Sequence, residues 1–224
     1  MIEAEKIRDV VRHGLVLSVV SVLVGTCAGQ VRFDSSPGLI RNVLATDHAS
    51  GSIVYADTCE FVGPRIPVPP HVHLPRKASP AVEMLQDMFS GDSAMVVAQD
   101  ANGLIRMVEK DVPTDILGVE IHHIVFDAAH APFPKLFHGP NMALMTILSS
   151  PDVLSFEKEH NISPADFRLE GSMGQDLPAL SGELNEVTLS QALDYVLKAF
   201  PGYWVYENCT TNDGRRAIHF RFYY

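Results

Sequence analysis

A helix that ends at a proline–glycine pair and leads directly into an aromatic strand is the feature that most constrains this chain. In "VTLSQALDYVLKAFPGYWVYENC", apolar residues recur every three or four positions, as on the buried face of an amphipathic helix. Thr188 is a natural N-cap, and Gln191 three residues later completes a capping box. Pro201 and Gly202 end the helix, because proline disfavours helical geometry in the preceding residue and glycine accepts positive φ.

The segments on either side of this helix predict strands. "YWVYE" (203–207) is aromatic and β-branched, "TNDG" predicts a turn, and "AIHFRFY" (217–223) alternates apolar and polar residues. The preceding "ALSGELNEV" predicts a short strand that contains a glycine. The unit is therefore predicted to be β-α-β-β.

A similar unit is predicted about a hundred residues earlier. Ser79 supplies an N-cap and Pro80 a proline at the first helical position, and an apolar stripe follows in "AVEMLQDMF". "AMVVAQ" and "LIRMV" predict two strands joined by a turn at "DANG". Upstream, "RIPVPPHVHL" is extended, and its three prolines confine any pairing to a sheet edge.

Together these patterns predict an α+β fold, with two small β-α-β-β modules of mixed or antiparallel sheet joined by a partly helical linker. Between the modules, "GVEIHHIVFD" predicts a strand, and "NMALMTILSS" and "PDVLSFEKEH" predict short helices, the second with Ser150 as cap and Pro151 at its first position. A helix–strand pair, "SPGLIRNVLATDHASGSIVYAD", precedes the first module. The predicted divisions are an N-terminal signal or anchor at 1–29, a first module at 30–126, a linker at 127–178 and a second module at 179–224.

The composition argues against some classes of function. The chain has 224 residues and a formal net charge of -10, so binding to nucleic acid, which depends on cationic contacts to phosphate, is not expected. We expect neither a cofactor nor a metal.

The N-terminal segment "GLVLSVVSVLVGTCAG" (14–29) is uncharged and mostly apolar. It is short for a bilayer span and fits the apolar region of a secretory signal, with small residues at its end as a cleavage site. A buried core segment is the alternative. We expect the protein to be periplasmic or otherwise exported, with membrane contact only through this segment if it is not cleaved.

Three cysteines are present: Cys27, Cys59 and Cys209. If Cys27 is removed with a signal peptide, Cys59 and Cys209 remain, and an oxidising compartment would allow them to form a disulfide. Two unpaired buried thiols are the alternative.

The second module resembles a known family, the secretin and TonB-receptor short N-terminal domain. The resemblance is clearest at residues 180–207 and looser at 67–108. It is carried by apolar, aromatic and glycine positions: Leu184, Val187, Leu189, Ala192, Leu193, Leu197, Gly202, Tyr203 and Val205. It implies a small periplasmic α/β domain for signalling or assembly, which contacts an envelope protein and has no catalytic residues.

The leading hypothesis is therefore an exported cell-envelope protein that acts as a non-catalytic protein-binding or assembly module. Tyr203, Trp204 and Tyr206 are candidate partner-binding residues, because aromatic side chains dominate interface hot spots. The alternative is that the fold covers both faces of their strand. An exposed edge strand offers a second binding mode.

Two catalytic or metal-binding alternatives stay open. His71 and His73 lie two apart on an extended segment, as do metal ligands in cupin barrels. A small hydrolase is the other alternative, because catalytic groups can assemble from distant positions. His122 and His123 are adjacent in a predicted strand, so we expect one to face the core and the other the solvent.

Overall fold

The computed structural model of the protein describes residues 36–58, 79–127, 139–166, 180–211 and 213–224. The described residues between Ile40 and Tyr224 belong to one compact unit. The described residues combine helices with mixed and antiparallel strands, which confirms the predicted α+β class. The predicted export segment at 14–29 and the predicted strand at 65–74 lie outside the described residues.

The described part of the chain contains five α-helices, one 3-10 helix and eight strands. The α-helices are α1 (Ser36–Thr46), α2 (Ala81–Met88), α3 (Pro140–Leu148), α4 (Pro151–Glu159) and α5 (Leu189–Ala199), and the 3-10 helix spans Asp115–Gly118. The strands are β1 (Gly51–Thr58), β2 (Met95–Gln99), β3 (Ile105–Glu109), β4 (Glu120–Asp127), β5 (Ser163–Asp166), β6 (Ser181–Thr188), β7 (Tyr203–Thr210) and β8 (Arg216–Tyr223).

Both predicted hairpins belong to a single sheet. Its strand order is β2-β3-β1-β7-β8-β5, in which β2–β3 and β7–β8 are the antiparallel hairpins. Strand β1 lies between them and is parallel to both β3 and β7. The two helix–hairpin units are therefore joined by one intervening strand from the N-terminal helix–strand pair.

A second, two-stranded sheet pairs β6 with β4. The strand predicted to open the second module thus pairs with β4 and lies outside the sheet of its own hairpin. Helix α5 contacts β6, β7 and α3, and α3 also contacts β4 and β8. Buried residues of α3, α5, β4 and one face of β7 and β8 form one continuous apolar cluster. The segment predicted as a linker therefore supplies core helices.

The start of α5 confirms the predicted capping box. The Thr188 hydroxyl accepts a hydrogen bond from the Gln191 N–H at 3.2 Å, and the Gln191 side chain accepts one from the Thr188 N–H at 2.8 Å. Such a cap stabilises a helix by about 1 kcal/mol. The buried residues of α5 are those of the predicted stripe, namely Leu189, Ala192, Leu193, Val196 and Leu197.

Of the other two predicted helix starts, that of α4 is confirmed, with Ser150 as the N-cap residue and Pro151 at the first position, whereas that of α2 needs correction. Helix α2 begins at Ala81, with Pro80 as its N-cap, and its first N–H donates to the Asp47 carboxylate from the loop after α1 at 2.5 Å. A distant side chain therefore replaces the expected Ser79 cap. Ser150 does precede Pro151 at the start of α4, but its buried hydroxyl forms no capping hydrogen bond.

Gly51 allows the three parallel strands to lie side by side. It is opposite Ile105 on β3 and Tyr203 on β7. A Cβ at this position would lie 2.1 Å from the Ile105 carbonyl oxygen. Because that oxygen belongs to the backbone of a central strand, it cannot move without disturbing the ladder.

We therefore expect Gly51→Ala to lower the free energy of unfolding by roughly 1–3 kcal/mol, the range for overpacking a core. Urea denaturation followed by circular dichroism measures the change. Gly118→Ala is the matched control, because no atom lies within 4 Å of the Cβ it would add. Equal stability of both variants would contradict this account of the sheet.

Candidate functional site

A cleft of about 570 Å³ lies where the two predicted modules meet. The loop before β1 and the β2–β3 turn form one side, lined by His48, Ala49, Ser50, Asn102, Gly103 and Leu104. Strand β6 and helix α5 form the other, lined by Leu184, Val187, Gln191, Asp194, Tyr195, Leu197 and Lys198. Its volume is in the range of ligand-binding pockets, and it combines apolar side chains with a few polar groups.

Parallel pairing explains why these segments meet. Strands β3, β1 and β7 begin at the same level of the sheet, since Gly51 is opposite both Ile105 and Tyr203. The Ser50 carbonyl accepts a hydrogen bond from the Ile105 N–H at 2.9 Å, and the Ser50 hydroxyl accepts one from the Gly202 N–H at 3.2 Å. The loops that precede the three strands are thereby held together at the N-terminal ends of these strands, beside the cleft.

An ion-pair network lies beneath the cleft. Two guanidinium nitrogens of Arg106 on β3 donate to the two carboxylate oxygens of Asp194 on α5, at 2.8 and 2.6 Å. The Trp204 indole N–H donates to the same carboxylate at 2.9 Å, and Arg106 Nε donates to Asp100 at 2.9 Å. The Arg106 guanidinium also lies 6.0 Å from the centre of the Trp204 ring. These contacts join the first hairpin to the helix and strand of the second unit.

The network holds Asp100 and Arg106 in their charged forms. Burial alone would raise the pKa of Asp100, but hydrogen bonds from the Leu104 N–H, Arg106 and the Asn102 N–H outweigh it, so that pKa is lowered. Burial would likewise lower the pKa of Arg106, yet its contacts with Asp194 and Asp100 raise it. Two carboxylates beside the cleft, Asp100 and Asp194, therefore share one guanidinium.

Two basic side chains, His48 and Lys198, line the cleft. Among the described residues, neither His48 nor Lys198 forms an ion pair with a carboxylate. Both side chains are exposed, and the Lys198 ammonium lies 5.2 Å from the centre of the Tyr195 ring. The cleft thus presents apolar surface together with the exposed ammonium of Lys198.

The aromatic residues predicted to contact a partner are buried. Tyr203, Trp204 and Tyr206 have relative exposures of 1%, 2% and 0%. Their strand β7 has sheet neighbours on both sides, and both of its faces are covered. The Tyr206 hydroxyl donates to the Pro113 carbonyl at 2.7 Å. The prediction of a docking surface at these three residues is corrected accordingly: they pack the core.

The adjacent histidines of β4 also differ from expectation. The side chains of His122 and His123 are both exposed, at 71% and 53%, whereas one was expected to face the core. The buried positions of this strand are Ile121, Ile124 and Phe126, so the strict alternation is interrupted at the histidines. The facing strand β6 has Glu186 at a φ of 50°, a local irregularity at the same level.

The two histidines have different partners. The His122 ring nitrogen Nδ1 lies 2.9 Å from Asp152 Oδ1 of α4, and its backbone N–H donates to the same carboxylate at 3.1 Å. The His123 ring lies 2.8 Å from the side-chain oxygen of Asn185 on β6. They therefore make separate contacts on the surface.

The remaining candidate residues are only partly described. His71, His73 and Cys59 lie outside the described residues, so the cupin-like alternative and the Cys59–Cys209 pairing stay predictions. Cys209 is buried and forms a disulfide. In the described ranges, no group of three or more His, Cys, Asp or Glu side chains is arranged to hold a metal ion, and no helix is long and apolar enough to cross a membrane.

Comparison with known proteins gives no relative. No protein-family model, no curated protein and no solved structure matches this chain.

The Arg106–Asp194 ion pair beside the cleft was not predicted from the sequence. Arg106 lies between two apolar positions of a short strand, a pattern that by itself indicates a solvent-facing side chain. Asp194 lies beside the apolar stripe of α5. Nothing in the linear sequence pairs these two residues, which are 88 positions apart.

The His122–Asp152 contact makes a prediction about pH. The hydrogen bond that the His122 ring donates to Asp152, then the charge of that carboxylate, raises the pKa of His122 above 6.5, and the contacts with His122 lower the pKa of Asp152 below 3.8. The histidine contribution to stability is present below pH 6.5 and is lost as the pH rises through its raised pKa. The aspartate contribution is lost as the pH falls through its lowered pKa.

The pair should therefore stabilise the fold most between about pH 4 and 6.5. An NMR titration should give a pKa for His122 above that of a model peptide, and Asp152→Asn should bring it down. An unperturbed His122 in the parent protein would contradict the assignment.

Proposed function

We propose that this chain is an exported protein of the bacterial cell envelope and acts as a non-catalytic protein-binding or assembly module. The observation that carries the proposal is the cleft between α5 and the loops of the first helix–hairpin unit. It is preformed, because the Arg106–Asp194 pair and the Ser50 hydrogen bonds hold its walls. A cleft of this kind can receive a segment of a partner without rearrangement, which lowers the entropic cost of binding.

We further propose a relationship to the secretin and TonB-receptor short N-terminal domain. The strand, helix and strand order of that resemblance corresponds to β6, α5 and β7. Several of the residues that carry it, including Leu189, Ala192, Leu193 and Val205, are buried. They support a common arrangement of core positions, and the partner-binding role follows from the family by analogy.

Strand addition is a less favoured mode of binding. Strand β2 forms one edge of the main sheet, and Val96 on it is 46% exposed. However, the Gln86 side chain of α2 donates to the Val97 carbonyl at 3.0 Å. Because the chain's own helix occupies an acceptor of this edge, we favour the cleft as the binding surface.

The disulfide at Cys209 supports export. Disulfides persist in oxidising compartments such as the periplasm and are rare in the cytosol. The apolar N-terminal segment at 14–29 agrees with the same location.

Site-specific photo-cross-linking tests the binding role. A photoreactive residue placed at Asn102, on the rim of the cleft, should give a discrete adduct with an envelope protein in the bacterium that makes this chain. Lys158 on α4 is exposed and does not line the cleft, so the same residue placed there is the control. No adduct at Asn102, or the same adduct at both positions, would reject the cleft as the partner surface.

Alkylation and intact-mass measurement test the disulfide and its pairing. In denatured but unreduced protein from the envelope fraction, Cys209 should stay unlabelled and should react only after reduction. If its partner is Cys59, Cys59→Ser should expose Cys209 to labelling and Cys27→Ser should not. Labelling of Cys209 without reductant would remove the support for export, and release by Cys27→Ser alone would refute the pairing.

A further inference from the structure

Strand β6, which lines the cleft, has an open edge. Resting on the proposed function, we propose that an extended segment of the protein partner pairs with this edge and becomes a third strand of the β4–β6 sheet. Main-chain hydrogen bonds to β6 hold the segment, and its apolar side chains pack in the cleft.

The other sheet edges of the described chain are closed to such an addition. On β2, the Gln86 side chain of α2 donates to the Val97 carbonyl at 3.0 Å. On β4, the His122 N–H donates to the Asp152 carboxylate of α4 at 3.1 Å. Strand β5 spans four residues, and its Pro164 has no N–H to donate. None of these three edges therefore offers a continuous run of main-chain groups to a new strand.

The edge of β6 differs from them. The strand spans eight residues, Ser181–Thr188, and pairs with β4 on one side only. Its two ends are held by the Tyr195 and Gln191 side chains of α5. Between these ends, main-chain groups of residues 182–187 form no hydrogen bond outside the β4–β6 pairing in the described part of the chain. Because alternate residues of an edge strand direct their main-chain groups away from its neighbour, this stretch presents unpaired donors and acceptors.

The side chains of β6 place this edge beside apolar surface. Leu184 and Val187 line the cleft and are only half-buried, and Leu104 from the β2–β3 turn lies in the opposite wall. An added strand directs alternate side chains to the same face of the sheet as its neighbour. Apolar side chains of the segment would therefore cover the cleft while its main chain pairs with β6.

The charges of β6 argue against a second copy of this chain as the added strand. Glu183 and Glu186 are both exposed, and antiparallel pairing of two β6 edges would bring the carboxylates of both copies together. Like charges on neighbouring strands are destabilising, and charged side chains commonly protect edge strands from self-association. The formal net charge of -10 opposes the same contact. A partner segment with uncharged side chains meets no such repulsion.

Fluorescence anisotropy with three labelled peptides tests for strand pairing. The parent is a capped octapeptide in which valine alternates with threonine, and in its two isomers either the valine or the threonine amide nitrogens are methylated. The parent should bind saturably. The isomer whose methyl groups face β6 loses its main-chain donors, so it should bind at least tenfold more weakly than the other isomer. No binding of the parent, or equal binding of the two isomers, would overturn the proposal.

Hydrogen exchange locates the pairing. Addition of the parent peptide should slow exchange in residues 181–188 roughly threefold or more, because the amides that face the added strand become hydrogen bonded. The amides of β2, Met95–Gln99, are the internal control and should exchange at an unchanged rate. Protection of β2 in place of β6, or of neither strand, would refute the assigned edge.

Matched variants test the packing in the cleft. Leu184→Ala should weaken binding of the parent peptide roughly fivefold, because it removes apolar surface on which the valines of the peptide pack. Val125→Ala is the control, since Val125 is an exposed residue of the neighbouring strand β4 and does not line the cleft. Unchanged circular dichroism would establish that both variants are folded. Equal binding by the two variants would contradict the packing of the segment in the cleft.

Comparison with the Asn102 cross-link separates strand addition from the binding role on which it rests. A cross-linked partner at Asn102 without protection of β6 by the parent peptide would refute strand addition and leave the binding role standing. Protection of β6 by the peptide without any cross-link at Asn102 would refute the binding role in the envelope and leave the pairing capacity of β6 standing.

Discussion

The parallel pairing of β1 with β3 on one side and β7 on the other holds this molecule together. Each hairpin, β2–β3 and β7–β8, is a two-stranded ribbon that would be marginally stable alone. Strand β1 turns the two ribbons into the continuous core of a six-stranded sheet. The arrangement depends on close approach at Gly51, where a side chain would collide with the backbone of β3.

The Arg106–Asp194 pair reinforces this union on one side of the sheet. A bidentate ion pair has strict geometric requirements, so it specifies how α5 lies against β3 more than it adds to stability. The Trp204 indole donates to the same carboxylate and lies near the guanidinium, so the largest side chain of the core is tied to the same contact. Two segments that are distant in sequence are thereby held in one orientation.

The contacts between the two helix–hairpin units also determine the cleft. Its walls come from different units, and Asp194 in its lining accepts hydrogen bonds from Arg106 of the other unit. The contacts that stabilise the fold thus also fix the groups that the cleft presents.

Local patterns in the sequence determined the helices, the hairpins and the class of fold. The apolar stripe of α5, its capping box at Thr188 and its end before Gly202 each depend on residues close together in the sequence. A short stretch of sequence is therefore enough to predict them. Two other features could not be predicted in this way. The Asp47 cap of α2 joins residues that are distant in the sequence, and the exposure of both histidines on β4 depends on a local irregularity between paired strands.

Tertiary structure alone decided which strands pair, and with that the position of the site. The aromatic and β-branched residues of β7 predict a strand with two faces, but they do not indicate what covers each face. The burial of Tyr203, Trp204 and Tyr206 therefore depends on the elements that pack on both sides of β7. Pairing of β6 with β4, and of β1 with both hairpins, brings together residues 48–50, 102–104 and 184–198. Such long-range pairings depend on the packing of the whole core and leave no periodic signal in the chain.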